Sequence, residues 1–420
     1  MKDTNANHGG RTGADGAERL AVLGGTPANP RPRPALQRWG EAERTQLDAM
    51  VAQPSLFYWR GPQTALLVER FRQAYPFQHV MPCSSGTAAI HIALLAADLG
   101  PGDEVITAPI TDMGTAIGIL YQQAVPVFAD LEADRYTLDV ADVRAKITPR
   151  TKAIVAVHLC GNPCRLAELR ELADRHSLVL VEDCAQAWGA LYRGRPVGTL
   201  GHVGCYSLND FKHIACGDGG LVGSNDERIG PRLQRCGDKA YDRVAGTRAP
   251  EFLAPNYRIS EPQSAVAAAQ MLRMESITSR RAELGLRLSA ALADVPGVRP
   301  HASDPADRCT FWFYFLRLNL AELTCDRQAF VAALAGEGVP ASAGYIPGPV
   351  YAWPVFQNHS FFGGRWPLRE AGLTDMDYRR VRCPEAEAIL ETGVRIEINQ
   401  AMDNDYIAVG DGRARHYARR

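Results

Sequence analysis

Lysine is what this chain lacks most. Of its 46 basic residues only five are lysines, at positions 2, 146, 152, 212 and 239, so arginine carries the positive charge. Arginine cannot condense with an aldehyde, and any Schiff-base chemistry therefore falls to one of five amines. Long apolar runs are also missing: none reaches the ~18 to 20 residues of a membrane span. The first nineteen residues are polar and rich in Gly, Asn and Asp rather than signal-like. These two absences speak against a membrane partner and place the chain in the cytoplasm. There is no excess of one charge either, with 46 basic against 47 acidic residues and a formal net charge of −1, so no global field draws the protein to nucleic acid. The ten cysteines have no close-set framework spacing and read as free thiols in a reducing compartment. Cys160 and Cys164 are the nearest pair, and without a second pair of ligands they make no zinc site. No GxGxxG follows a strand and no GxxxxGK[ST] occurs, which removes Rossmann dinucleotide and P-loop readings.

At 420 residues the chain exceeds the ~250 to 300 residues at which single cores stop growing, so two or more domains are expected. Residues 1–20 have no periodic apolar face and read as a disordered tail. From Met81 to about Ser224 helix-like blocks alternate with strand-like ones at 104–109, 125–130, 153–159, 178–183, 201–208 and 220–224. The alternation predicts an α/β layer architecture with a largely parallel sheet. An irregular stretch follows at 237–258, then a long helix over about 261–290. A Pro/Gly-marked break at 296–305 suggests a boundary, which gives a large α/β unit over 21–290 and a smaller α+β unit over 291–420.

Within this frame Lys212 stands apart from the other lysines. It follows a strand-like run (Val203, Cys205, Tyr206, Leu208) and precedes Gly217, Gly219 and Gly220, residues that let backbone approach a ligand closely. Lys2 lies in the polar tail, Lys146 on the wet side of a short helix, Lys152 at a strand entrance and Lys239 in a charged loop. Ser84-Ser85-Gly86-Thr87-Ala88 marks a turn into a helix, whose open N–H groups make either a phosphate cradle or an ordinary cap. Asp183 ends the run Leu178-Val-Leu-Val at the carboxyl edge where open α/β sheets bind ligands. There it would keep a pyridine nitrogen protonated, or merely cap the next turn. Taken in order, SSGTA, VEDCAQAWGA, the SLNDFK lysine and GDGG describe a pocket for pyridoxal 5′-phosphate (PLP): phosphate cup, ring-nitrogen partner, nearby polar residue and Schiff-base lysine.

These motifs, together with GGTP, Gly61-Pro62 before a helix, VHLCG, PNYRISEPQSA and CPEAEAIL, resemble the DegT/StrS family of PLP-dependent aminotransferases, fold-type-I enzymes that aminate keto-sugars and keto-cyclitols. The resemblance runs from about Gly24 to Leu390. It implies the type-I transferase fold, with Lys212 holding PLP and shuttling the substrate proton, Asp183 on the ring nitrogen and Gln186 against the ring oxygen. Gly86, Thr87 and Ser207 would hold the phosphate, and Asn256 would reach the phosphate of a second subunit in a homodimer. The partners it implies are glutamate or glutamine as amino donor and a nucleotide-linked keto-sugar or a keto-cyclitol as acceptor, in antibiotic or surface-sugar biosynthesis. Two rivals follow from the same fold: a PLP-dependent sugar dehydratase and a catalytically idle regulatory protein. Against the first, dehydrating relatives carry histidine at the lysine position, whereas here the count of five from Ser207 lands on Lys212 with His213 beside it. One departure remains, because the position that carries a ring-stacking aromatic in the family is Asp112 here. His158 reads as a core histidine, and Arg258 faces either an anionic substrate or a neighbouring carboxylate. Substrate contacts are expected around 56–60, 241–257 and 344–353.

Overall fold

The computed structural model describes residues 19–407, so most of the expected N-terminal tail and the last thirteen residues lie outside it. Seven strands form the main sheet: β1 (His79–Cys83), β2 (Glu104–Thr107), β3 (Val125–Phe128), β4 (Thr151–Val157), β5 (Val179–Asp183), β8 (Val203–Ser207) and β9 (Gly220–Ser224), in the order β1-β9-β8-β5-β4-β2-β3. A short hairpin of β6 (Leu191–Tyr192) and β7 (Arg195–Pro196) stands apart. Strands β3, β2, β4, β5 and β8 pair in parallel, and β9 is antiparallel to both β8 and β1. Two reversals restore direction, so β1 runs with β8 and only β9 runs against the rest.

That topology brings the ends of six strands to one rim. Cys83 faces Gly220, Gly220 faces Ser207, and Cys205 faces Asp183 across three neighbouring ladders. Strands β5, β8 and β9 are covered on both faces, which is why they read as continuous apolar runs rather than alternating ones. The helix Gly86–Ala96 is buried along almost its whole length, so small and apolar residues surround it without an amphipathic stripe. Behind Ser207 the rings of Phe71, Tyr75, Trp188 and Tyr206 pack with centroids 4.8–6.0 Å apart, Phe71 on Tyr75 stacked and the other pairs edge-on or tilted. Trp188 Nε1 donates to the Ser207 carbonyl at 2.8 Å, anchoring the strand end that leads into the lysine loop.

The Gly61-Pro62 motif has a packing cause. The buried Glu261 carboxylate accepts from the N–H groups of Gln63 and Thr64, both at 2.9 Å, and so caps the helix Pro62–Ala74 from another helix. A Cβ at Gly61 would stand 2.1 Å from that carboxylate.

Two expectations need correction. The single helix over 261–290 is two, Glu261–Met271 and Met274–Leu292. The bonds at Leu272 and Arg273 tighten to the residue three back, while Gln270 and Arg273 turn aside to hold the carbonyl of Arg38 and the carboxylate of Glu43. Strand β1 was not anticipated, because Pro82 lies inside it, and a proline is tolerated there only since β1 is an edge strand.

A second, antiparallel sheet has the order β10 (Val298–Arg299), β11 (Tyr314–Leu318), β13 (Gly393–Ile396), β12 (Ala341–Ala343). Its core contains Leu284, Leu288, Leu292, Leu316, Val394 and Ile396, whereas Met274 and Ile277, earlier on the same helix, belong to the first core.

Candidate active site

Lys212 lies in the turn that leaves β8, its N–H bonded to the Asn209 carbonyl at 2.9 Å. Its amine stands 4.0 Å from the centroid of the Trp312 ring, and its carbonyl accepts from Arg38 at 3.0 Å. Burial pushes the amine down from its ordinary value, and Asp183 and Asp112 pull it back up. His213 next to it turns into the interior, with Nε2 3.0 Å from the Thr310 carbonyl. The lysine, and not its histidine neighbour, therefore faces the acid at the strand ends.

Asp183, at the end of β5, is 5% exposed. One oxygen accepts from the Ala185 N–H at 3.1 Å and the other from the Thr115 hydroxyl at 2.8 Å, which is itself 2.7 Å from the Thr111 hydroxyl. Burial pushes this carboxyl up, against the two hydrogen bonds and the charges of Lys212 and His158. The amine and the acid thus act on each other across one rim of the sheet, each countering the cost of burying the other.

Beside them the helix Gly86–Ala96 begins. Ser85 caps it by accepting from the Ala88 N–H at 3.0 Å, which leaves the first-turn N–H groups of Gly86 and Thr87 unclaimed by the cap. A Cβ at Gly86 would stand 2.7 Å from Ser207 Cβ and 3.1 Å from its hydroxyl, so glycine is what lets the helix start and the Ser207 hydroxyl share one small cradle. An anion fits there without a further cation. These residues fit PLP: an amine for the aldehyde, an acid for the ring nitrogen and a helix start with a serine for the phosphate.

Gln186 is buried in the same wall, but its amide is committed. Its Oε1 accepts from the Cys160 N–H at 3.0 Å, and its Nε2 donates to the Tyr345 hydroxyl at 3.1 Å. Asn256 is exposed, next to Tyr257, whose carbonyl takes the Ser84 N–H at 2.8 Å. Asp112 caps the helix Met113–Tyr121 through the Gly114 N–H at 2.8 Å, and its charge reaches Lys212 and Tyr345. The rings near Lys212 are instead Trp312 and Tyr345, 6.0 Å apart and edge-on.

Three residues from the stretches singled out in the sequence have structural partners. His158 is fully buried between Glu182, at 3.0 Å, and the Cys164 N–H, at 3.1 Å. Arg258 pairs with Asp238 at 3.3 Å. Tyr58, in the stretch 56–60, donates to that same aspartate at 2.6 Å. A groove of about 940 Å³ beside this stretch runs along edge strand β1 and does not include Lys212. Sequence reasoning missed Thr115 and Trp312. Tyr345 was anticipated only as part of the stretch 344–353.

Comparison with known proteins agrees with this geometry. Residues 40–409 match the DegT/DnrJ/EryC1/StrS aminotransferase family. The chain is 36% identical over 353 residues to the L-glutamine:2-deoxy-scyllo-inosose aminotransferase of Streptomyces kanamyceticus, covering 79% of this chain and 81% of that one. It is 34% identical over 390 residues to the enzyme of that name from Streptomyces paromomycinus, covering 88% and 90%. Among solved structures, the sugar aminotransferase CalS13 from Micromonospora echinospora superposes with a TM-score of 0.77 at 27% identity, over 92% of this chain and 99% of that one. The chain belongs to the DegT/DnrJ/EryC1/StrS aminotransferase family.

Proposed function

We propose that this PLP-dependent aminotransferase takes its amino group from L-glutamine and gives it to the ketone of a polyhydroxylated carbocycle of the 2-deoxy-scyllo-inosose type. The observation that carries the chemistry is the buried amine and buried acid coupled at one sheet rim beside an open helix start. The substrate pair rests on the two relatives named for it, at 36% and 34% identity.

PLP, when bound, supplies an electrophilic carbon and an electron sink. Everything else falls to the chain. Lys212 is kept more reactive than a solvated lysine because burial disfavours its charged form. Its Nζ takes the proton from the α-carbon of the donor and later delivers one to the former ketone carbon. Asp183 holds the ring nitrogen in its protonated form, and the two donors on its own oxygens keep the carboxylate aimed. Ser207 and the N–H groups of Gly86 and Thr87 hold the phosphate, fixing the cofactor at its other end. Trp312 and the neutral phenol of Tyr345, whose titration burial pushes well up, wall the cleft against water.

We extend the reading to assembly and location. Residues 21–290 form the cofactor-binding unit and 291–407 the described part of the smaller one, whose expected remainder to 420 lies outside the described residues; the protein works as a homodimer in which the exposed Asn256 serves the neighbouring site, and it resides in the cytoplasm. In support, all ten cysteines are free, and among the described residues no helix is long and apolar enough to cross a membrane.

The test is direct. PLP-loaded protein is incubated with L-glutamine and 2-deoxy-scyllo-inosose, and the products are resolved by mass spectrometry. An amino-cyclitol is expected with wild type and none with Lys212→Ala. Amination of a nucleotide-linked keto-sugar in preference to the cyclitol would overturn the acceptor assignment.

A further inference from the structure

Arg395 lies on β13, opposite Phe315 of β11 and Ser342 of β12. Side chains alternate along a strand. The flanking Val394 and Ile396 fill the second core, while Phe315 belongs to the first, so Arg395 leaves its sheet on the face turned toward the lysine. There its guanidinium carbon stands 5.2 Å from the centroid of the Phe313 ring. Its charge acts on the hydroxyl of Tyr345 and the thiol of Cys160, opposing the upward push of burial on both. Those two residues hold Gln186 in the wall of the active site, Cys160 through its backbone N–H and Tyr345 through its hydroxyl.

This cation is poorly matched within the chain. Glu397 is its ion-pair partner at a loose 3.9 Å, and Glu397 is itself engaged by Arg33. Nε of Arg395 is buried without a hydrogen-bond acceptor among the described residues. Tyr345 accepts from Gln186, and its own proton meets no acceptor among the described residues. A planar guanidinium fork and a neutral phenol, both with protons to give, suit a carboxylate. A continuous run of aromatic rings connects this pair with the amine. Lys212 Nζ sits over Trp312, Trp312 meets Tyr345 at 6.0 Å, Tyr345 meets Phe313 at 4.9 Å, and Arg395 lies over Phe313.

We propose that Arg395, with the Tyr345 hydroxyl, receives the α-carboxylate of the amino donor. The inference rests on the aminotransferase reading above and deepens it. An α-amino acid carries its amine and its carboxylate on one carbon, so a cation set along the same aromatic wall as Lys212 orients the α-carbon for proton removal. A neutral polyol ketone offers this cation nothing, so Arg395 serves the donor half of the reaction and is idle in the other.

Three measurements on PLP-loaded protein test it. Absorbance titration with L-glutamine should need about 30-fold more donor in Arg395→Gln than in wild type, with Arg395→Lys in between because it keeps the charge and loses the fork. Preference for L-glutamine over its α-amide should be about 30-fold in wild type and nearly vanish in Arg395→Gln. Calorimetric binding of glutaramate, the donor without its amine, should disappear in the same variant, while the concentration of ketone that half-saturates the second half-reaction stays unchanged. Thermal melting shows whether the variants are folded, and Arg395→Lys provides a folded comparison if the glutamine variant melts early. Wild-type glutaramate binding and glutamine preference in Arg395→Gln overturn the proposal, as does a defect confined to the ketone half, which would mark an anion on the acceptor. A wild-type enzyme spectrally inert to glutamine and glutamate sinks the donor assignment instead, and glutaramate binding then decides the role of the arginine alone.

Discussion

Two aspartates are buried in this molecule under opposite conditions. Asp238 is fully buried, and its carboxylate takes Arg243 at 2.5 and 3.1 Å, Arg258 at 3.3 Å and the Tyr58 hydroxyl at 2.6 Å. Both guanidiniums also lie 5.2 Å from the Phe57 ring centroid. Asp183, 5% exposed, is held at hydrogen-bond distance only by a neutral hydroxyl and a backbone N–H. A buried charge is costly unless paired and hydrogen-bonded. The first acid is fully answered and acts as a structural tie for the irregular stretch 237–258. The second is left short of positive charge, which shows in its raised pKa. An acid so placed at a strand end suits a cation, the part that the protonated ring nitrogen of PLP would play in the function proposed above.

The comparison predicts opposite outcomes for the same substitution. Asp183→Asn should lower kcat on the order of 10³-fold, because the ring nitrogen loses the group that keeps it charged. The cofactor-free protein, however, should become more stable by about 1 kcal/mol, since a buried charge is removed. The pH dependence has a definite sign. A carboxyl whose folded pKa is raised stabilises the fold below the unfolded value near 3.8 and loses that contribution as pH rises through the folded pKa. The gain from Asp183→Asn should therefore be full above the folded pKa and vanish as pH approaches 3.8, as followed by thermal unfolding of the apoprotein. Asp238→Asn should instead cost about 3 kcal/mol with or without cofactor, because two arginines lose their common partner. If both variants destabilise the apoprotein alike, the distinction between an answered and an unanswered acid is lost.

How far these roles could be read from sequence follows the same line. Asp183 and Lys212 were legible because each sits at the end of an apolar run buried on both faces, and the chain has only five lysines from which to choose. The parallel sheet was legible for the same reason, whereas β1 was hidden by Pro82. The Asp238 cluster was not, because it lies in a stretch without periodicity and its partners Tyr58 and Arg258 are 180 and 20 residues away. Tyr345 meets Gln186 across 159 residues, and Arg395 is one residue of a four-residue strand. Periodicity reports which face a side chain takes, but not which distant element faces it. The break at Leu272 escaped because its cause, the pull of Glu43 and the Arg38 carbonyl, comes from more than 200 residues earlier in the chain. Asp112 shows the converse. The resemblance leads one to expect a ring-stacking aromatic there, and its position as an N-cap explains why an aspartate folds well in that place.

The smallest expected effect sharpens the contrast most. The Thr115 hydroxyl gives its proton to Asp183, and the Thr111 hydroxyl 2.7 Å away is left to donate to Thr115. Thr115→Val keeps the volume and removes one of the two short-range donors that favour the ionised carboxylate. Losing one such bond is worth about 1 kcal/mol, so the dissociation constant of PLP should rise about 5-fold, and Thr115→Ser should restore it. Coupling tells whether the bond acts through the acid. In an Asp183→Asn background the valine should add little, since the charged acceptor is already gone. In an Asp238→Asn background its effect should be fully additive, since the two aspartates share no hydrogen-bonding partner. Equal additivity in both backgrounds, measured by PLP titration of wild type, the three single variants and the two double variants, would mean that Thr115 supports the fold rather than the carboxylate.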